Sequence, residues 1–287
     1  MTRRVGLIGK PLRRRHSQVM HDAAFDALGI DARYVLLELE PDEVAPAVAE
    51  ARRDGGAWLG LGVTAPYKLV VAGLCDAIDD DAAMIGAVNN VERTSDGRLV
   101  GFNTDSPGFR AGVELAMGRP LAGTRVVVAG AGGAAHAVVF ACLAAGAASV
   151  TVANRTVDKA EVLLARFDGV GDGARTSVEL GSIPFEAALR EADVAVNATT
   201  VGMVDPGATI PVELLPDDAT VFDLVYVPAE TPLVAAARER GLRAANGSEM
   251  LIAQAEAAFE RWTGVGGMAG VMRDAVAPLL ADATVRA

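Results

Sequence analysis

Gly130, Gly132 and Ala135 stand at the spacing G-x-G-x-x-G/A, within the run Gly130-Ala131-Gly132-Gly133-Ala134. Residues without a Cβ at a tight turn let backbone approach a pyrophosphate. A helix opening there turns its N–H groups and the positive end of its dipole toward that charge. The spacing alone is weak evidence, so the context decides. Val126, Val127 and Val128 precede it as a short β-branched run, residues 134–145 follow as strong helix formers, and Gly146 can end that helix. Residues 149–153 read as a second strand, which completes a βαβ unit. The competing reading is a plain tight turn in a core βαβ unit. At the end of the second strand an NAD site would carry a carboxylate for the ribose 2′-hydroxyl, and this chain has Asn154, Arg155, Thr156 and Lys159. Two cations and a hydroxyl suit a 2′-phosphate, so the pattern predicts NADP rather than NAD. The blander account makes Asn154 or Thr156 a helix cap and leaves Arg155 and Lys159 in water.

A second set of candidate residues lies upstream. Thr64-Ala65-Pro66-Tyr67-Lys68 closes a strand predicted over 58–63 and leads into a helix predicted over 69–78. In open α/β sheets ligands bind at the carboxyl ends of strands, so the corner is well placed. A cation is unfavourable at a helix N-terminus. Lys68 is therefore either a surface residue of the first turn or a residue with a chemical use. Residues 88–94 and 98–102 flank Ser95-Asp96-Gly97, a hairpin signal, and the arms carry Asn89-Asn90 and Asn103-Thr104-Asp105. Ser106 and Pro107 then open a helix toward Met117 as N-cap and first helical residue, and Asp105 is either part of that cap or a residue with a chemical use. Gln254 by itself reads as a solvated helix residue.

The elements that must position these groups alternate along the chain. Residues 5–8 form a strand, Arg13, Arg14, Arg15, His16 and Ser17 a polar basic loop, and 18–28 a helix capped by Gly29. Residues 34–39 form a strand and 41–53 a helix, with Pro41 near its first position and acids in its first turn. Later strands are expected over 192–198 and 220–225 and after Gly241, with helices starting at Thr231-Pro232, over 250–262 and over 270–280. Alternation of this kind predicts an α/β chain with mostly parallel sheets.

Composition bounds the function. A chain of 287 residues is long enough for two domains, and 51% hydrophobic with 5% aromatic predicts cores of Ala, Val and Leu. A net charge of −11 argues against nucleic acid or an anionic membrane as a partner, so an anionic ligand needs a local basic pocket. Cys75 and Cys142 sit in apolar helical patterns and read as buried thiols in a reducing cytoplasm, with no cysteine–histidine cluster for a metal. The chain opens directly on a strand, so no export signal is expected. The nearly uncharged run 126–153 is too interrupted by glycine and His136 to span a membrane.

Taken together, these residues resemble the shikimate dehydrogenase family. The likeness rests on Gly6-Leu7-Ile8-Gly9 with Met20-His21, Val63-Thr64-Ala65-Pro66-Tyr67-Lys68, Gly86-Ala87-Val88-Asn89 and Gly101-Phe102-Asn103-Thr104-Asp105. It continues through the glycine turn, Asn154-Arg155-Thr156 with Lys159, Asn197-Ala198-Thr199, Tyr226 with Pro228, and Gly247 with Met250-Leu251 and Gln254. The resemblance implies a substrate domain over 1–106 and 245–287, an NADP-binding Rossmann domain over 107–244, and an active site in the cleft between them. It implies Lys68 and Asp105 as the catalytic pair. Arg15, Ser17, Thr64, Asn89, Tyr226 and Gln254 would hold the substrate. Gly130, Ala131, Gly132, Gly133, Ala134, Asn154, Arg155, Thr156, Lys159, Thr199 and Gly247 would hold the cofactor, with Gly247 at its nicotinamide end.

The departures fall mainly on the substrate side. Where the family has Ser-x-Ser-Pro in the first loop, this chain has Arg15-His16-Ser17-Gln18. Arg15 can grip a carboxylate bidentately, crowd the pocket, or point into water. Gly62 stands where the family often has Asn, Asn90 replaces a common Thr, and Glu249 a common Gly. The expected activity is NADP-dependent reduction of 3-dehydroshikimate to shikimate. The alternatives are a paralogue acting on quinate, an aminoshikimate or another cyclic hydroxy acid, and a non-catalytic NADP-binding protein. A monomer or homodimer is expected.

Overall fold

Short apolar runs separated by amphipathic segments fold into two α/β units in the computed structural model. Residues 2–12, 14–53, 57–203 and 207–281 are described. One unit comprises Met1–Thr104 with Gln254–Leu279, the other Asp105–Ala253 with Leu280–Ala287.

The first unit holds β1 (Arg3–Gly9), α1 (His16–Ala27), β2 (Ala32–Glu38), α2 (Pro41–Arg53), β3 (Trp58–Val63), α3 (Lys68–Ala72), β4 (Ala77–Ile78), α4 (Asp80–Ile85), β5 (Asn90–Arg93) and β6 (Leu99–Phe102). Its sheet has the order β2-β1-β3-β5-β6-β4. The strands β2, β1 and β3 run parallel. β5 lies antiparallel to β3 and β6, which the Asp-Gly hairpin makes possible, with Gly97 at φ 86°. Ile8, Leu61, Val63, Val71, Val91 and Leu99 form a core with Val44 and Val48 of α2. A separate set of rings gathers Phe25 and His21 of α1, Tyr34 of β2, and Phe259 and Trp262, which lie on the returning helix. Each fully buried Val, Leu, Ile or Phe among these stabilises the unit by ~1.5–3 kcal/mol relative to exposure.

The second unit opens with α5 (Asp105–Met117) and continues with β7 (Arg125–Ala129), α6 (Gly133–Ala144), β8 (Ser149–Asn154), α7 (Val157–Ala165), β9 (Ala174–Glu179), α8 (Ile183–Arg190) and β10 (Val194–Asn197). A 3-10 turn (Val212–Leu214) then leads to β11 (Thr220–Asp223), α9 (Pro232–Glu239), β12 (Arg243–Asn246) and the start of α10 (Ser248–Thr263); from Gln254 on, α10 belongs to the first unit, as does α11 (Ala269–Ala281) up to Leu279. Its sheet is parallel throughout, in the order β12-β11-β10-β7-β8-β9. This is the doubly wound arrangement, with the switch in direction between β7 and β10. β7 is buried apart from Arg125, and α6 is buried on all sides from Ala137 to Leu143, as that apolar run requires. No helix among the described residues is long and apolar enough to cross a membrane.

Several local expectations change. The helix expected over 69–78 lasts only five residues, Lys68–Ala72. Tertiary pairing ends it: Asp76 N–H donates to Leu99 O at 2.8 Å, Leu99 N–H donates to the Asp76 carboxylate at 2.8 Å, and the chain extends as β4 beside β6. Cys75 therefore lies off any helix and is half-buried, whereas Cys142 is buried in α6 as expected. Burial pushes the two thiols up to about 11 and about 12, so both stay protonated. His16 and Ser17 belong to the first turn of α1 rather than to a loop, and His16 is buried, while Arg13 lies outside the described residues. Ser106 and Pro107 are not cap and first residue: α5 begins at Asp105, and Ser106 is buried inside its first turn. Proline is tolerated there because first-turn N–H groups have no intrahelical acceptor.

Candidate active site

In the first unit, Thr64 follows the carboxyl end of β3 and is half-buried; its N–H donates to Ile8 O at 2.9 Å. Tyr67 precedes α3, is buried, and donates its hydroxyl to Leu39 O at 2.8 Å. That anchor fixes the first residue of α3, the half-buried Lys68.

Beside them lies a polar net inside the fold. Asn89 is 6% exposed, Asn90 5% and Thr104 3%. Thr104 Oγ1 accepts from Asn89 Nδ2 at 3.1 Å and from Asn90 Nδ2 at 2.8 Å, and donates to Gln254 Oε1 at 3.3 Å. Asn89 Oδ1 in turn accepts from Asn90 Nδ2 at 2.8 Å and Thr104 N–H at 2.9 Å. Such groups sit inside a protein only when paired. Gln254, read from sequence as a solvated helix residue, is half-buried and joined to this net. Asn90, noticed in sequence as a replacement for a common Thr, and Thr104, noticed only as a neighbour of Asp105, form its centre.

Ser17 and Arg15 lie at the start of α1. Ser17 is half-buried. Arg15 is exposed and donates from Nε to Gln18 Oε1 at 2.8 Å.

In the second unit, Gly130 follows β7 with φ 110°, a conformation that favours glycine. A Cβ there would also meet Thr199 Cγ2 at 2.9 Å and Ala198 O at 3.1 Å, so the loops after β7 and β10 press together at the switch point. Gly132 and Gly133 differ: a Cβ on either would meet nothing within 4 Å. With Ala134 they lie exposed at the mouth of α6, whose N-terminus has no side-chain cap. Ala131 is half-buried, and Ala135 is buried and seats α6 on the sheet. Open space over uncapped N–H groups at a strand-to-helix turn fits a dinucleotide pyrophosphate. At the end of β8, Asn154 Nδ2 donates to Thr156 O at 2.8 Å and shapes a turn that leaves Arg155, Thr156 and Lys159 exposed. Thr156 stands at the N-cap of α7 without making a side-chain cap bond.

A device not foreseen in the sequence holds the loops after β10 and β11. Asp223 is fully buried, and its carboxylate accepts from Thr231 Oγ1 at 2.6 Å, Asn197 Nδ2 at 2.8 Å and Val225 N–H at 3.0 Å. Burial pushes its carboxyl above the ordinary range, against the opposing pull of these three donors. Asn197 Oδ1 accepts from Thr199 Oγ1 at 2.7 Å and Thr199 N–H at 3.1 Å. The loop bearing Thr199 and the chain leading to the half-buried Tyr226 thus hang from one Asn–Asp pair. The available signal was a lone carboxylate at the end of an apolar strand, eight residues before a threonine. Gly247 is buried for a related reason: a Cβ there would meet Leu224 O at 2.3 Å. Asp105 opens α5 and is half-buried.

Three family descriptions match the chain in order: the shikimate dehydrogenase substrate binding domain at residues 7–91, shikimate / quinate 5-dehydrogenase at 114–203, and the shikimate 5'-dehydrogenase C-terminal domain at 247–277. The chain belongs to the shikimate dehydrogenase family. A shikimate dehydrogenase (NADP(+)) of Geobacter metallireducens is 41% identical over 95% of both chains. Among solved structures, the shikimate 5-dehydrogenase of Thermus thermophilus, in complex with NADP(H) and shikimate, is similar with 36% identity and a TM-score of 0.81, over 95% of this chain and 99% of that one. A quinate dehydrogenase of Corynebacterium glutamicum, in complex with NAD, is similar with 33% identity and a TM-score of 0.88, over 96% and 99%. The oxidoreductase reading of the sequence stands with family membership, as does the two-domain α/β class.

Proposed function

We propose that this member of the shikimate dehydrogenase family catalyses the reversible, NADP-dependent reduction of 3-dehydroshikimate to shikimate. Family membership across both halves of the chain carries the reading, and the open turn at Gly132 and Gly133 supports it. The substrate domain is assigned to residues 1–106 and 245–287 and the cofactor domain to 107–244.

Gly130 to Ala134 and the N-terminus of α6 would hold the pyrophosphate. Arg155, Thr156 and Lys159 would take the 2′-phosphate, with Asn154 shaping their turn. Thr199 and Gly247 complete the cofactor set. Held there, NADPH would supply the hydride that the ketone carbon takes up. Lys68 sets its ammonium against the carbonyl oxygen, stabilises the charge that builds there and donates the proton that makes the hydroxyl. Asp105 orients that ammonium and accepts a hydrogen bond from the adjacent ring hydroxyl. In the reverse direction a neutral Lys68 takes the hydroxyl proton. Thr64, Asn89, Tyr226 and Gln254 read the ring hydroxyls, and a site built of paired polar groups discriminates strongly against a ring lacking one of them. Ser17, with Arg15 nearby in sequence, receives the carboxylate.

A second reading keeps the chemistry and changes the ring. Arg15 in place of the first serine and Gly62 in place of a polar residue favour it. Nicotinamide absorbance followed with shikimate, quinate and aminoshikimate, each with NADP and with NAD, decides between them. Shikimate with NADP should be the best pair. A better rate with quinate or aminoshikimate selects the second reading, and a preference for NAD counts against the roles of Arg155 and Lys159. No turnover with tight NADP binding would select a non-catalytic binding protein.

A further inference from the structure

The polar net of the first unit has a fixed direction, and one backbone N–H sets it. Thr104 N–H can only donate, and it lies 2.9 Å from Asn89 Oδ1, so that atom is the oxygen of its amide. Asn89 Nδ2 is then the atom 3.1 Å from Thr104 Oγ1. The Asn90 atom 2.8 Å from Asn89 Oδ1 must be a donor, and the same Nδ2 reaches Thr104 Oγ1 at 2.8 Å. Asn90 thus uses both of its amide hydrogens inside the net. Thr104 Oγ1 accepts from two amides, which fills its lone pairs, and its single hydrogen goes to Gln254 at 3.3 Å. The atom it meets there is an acceptor, Oε1, so the other end of the Gln254 amide is Nε2, a donor. Asn89 Oδ1 is filled in the same way, by Asn90 and by Thr104 N–H, and Asn89 acts on a ligand through Nδ2. Asn89, Asn90 and Thr104 are buried, where water offers no alternative partner to upset this order. Without the Asn90 amide, the Thr104 hydroxyl would be able to turn, and Gln254 to present either end.

We propose that Asn90 is a positioning residue that sets specificity: by filling Asn89 Oδ1 and Thr104 Oγ1 it makes Asn89 and Gln254 hydrogen-bond donors toward the substrate. The proposal rests on the ring-reading roles given to Asn89 and Gln254 above. A ring hydroxyl accepts from such donors through its oxygen. A ring ammonium cannot, because it has hydrogens and no lone pair. The site therefore selects a hydroxyl over a protonated amine at the ring position these two amides read. The threonine common at position 90 in the family has one hydroxyl hydrogen for the same two acceptors, so the asparagine of this chain fixes the order more fully.

The test uses the full chain with NADP at neutral pH, shikimate, and two amine analogues of it, each with an ammonium in place of one non-reacting ring hydroxyl. At one of those positions the native protein should favour the hydroxyl ~100-fold in kcat/KM, the penalty for setting a cation against N–H donors. Asn90→Leu should cut that preference to ~10-fold, since Gln254 can then turn its oxygen to the ammonium. It should also raise the shikimate KM ~5–10-fold, with the NADP KM within about twofold. Gln254→Glu, which offers acceptors at both ends, should bring the preference below ~10-fold as well. Asn90→Thr keeps one donor of the two and should fall between the native protein and Asn90→Leu; it carries the test if Asn90→Leu does not fold. A purely structural role for Asn90 would lower Tm and slow all three compounds alike with the preference unchanged, and that result overturns the proposal. Equal use of hydroxyl and amine by the native protein at both positions overturns it too, and the role of Gln254 stands if Gln254→Met still raises the shikimate KM. If Gln254→Met leaves that KM unchanged, the role of Gln254 falls and takes this inference with it.

Discussion

Gly60 and Gly62 in β3 and Gly132 and Gly133 after β7 all lack a side chain, but different things stand beyond the missing Cβ. At Gly60 a Cβ would meet Val91 O at 2.2 Å and Trp262 Nε1 at 2.4 Å, and at Gly62 it would meet the Tyr34 oxygen at 2.6 Å. At Gly132 and Gly133 it would meet nothing within 4 Å. The mixed sheet uses glycine to let its own rings close onto a strand. The parallel sheet uses glycine to keep a helix mouth open for something from outside. A substitution should therefore injure stability in the first place and ligand binding in the second.

The largest test asks whether the chemistry belongs to one side alone. Lys68→Ala should cut turnover ~10³-fold, in the range of a lost acid–base and electrostatic group, while NADP affinity measured by titration stays within about twofold. A normal rate would remove Lys68 from the mechanism. Next, Gly60→Ala should cost ~3 kcal/mol in denaturant unfolding, because one neighbour is backbone and the other a buried indole. A neutral result would break the contrast with the open turn. Gly132→Val should leave the melting temperature nearly unchanged and weaken NADP ~100-fold by filling the space above the turn, which is ~2.7 kcal/mol. Unfolding rather than lost binding would show that the turn is not open.

A smaller effect tests the filled side by pH. His21 is buried in the ring set, and burial lowers it from 6.5 to about 3. The unfolded chain takes up that proton near 6.5 and the native protein only near 3, so stability is present above 6.5 and is lost as pH falls toward 3. Between pH 6.5 and pH 5 the loss is ~2 kcal/mol, from 1.36 kcal/mol per unit. His21→Phe should flatten that part of the acid limb in urea melts, and an unchanged slope would place the acid sensitivity elsewhere. Smallest, Arg155→Ala should weaken NADP ~10-fold and leave NAD affinity almost untouched, consistent with one charge-assisted contact to a phosphate. Equal losses for both cofactors would assign Arg155 to the pyrophosphate instead.

Legibility in the sequence followed the distance between partners. The span of α2 was readable because Pro41 and the first-turn acids are local signals. The hairpin of β5 and β6 was readable because Asp96-Gly97 fixes its turn. Cys75 was misplaced because its helical pattern is overridden by Asp76, whose carboxylate binds Leu99 N–H and Arg52. Gln254 looked ordinary because its partner Thr104 is 150 residues away. Asp223 gave only a faint sign, a charge in an apolar strand, because its partner Asn197 stands 26 residues earlier, on the neighbouring strand.

By itself the sequence determined the α/β class, the glycine turn and the cations after β8, because a backbone conformation, a run of β-branched residues and adjacent charges are properties of neighbours along the chain. Tertiary structure alone decided that Gly132 faces open space while Gly62 lies under Tyr34, that β4 replaces the end of a helix, and that Asn197 and Asp223 hold two loops together. In each of these the partner is brought in by strand order, and nothing in a residue's own neighbourhood says which strand will lie beside it.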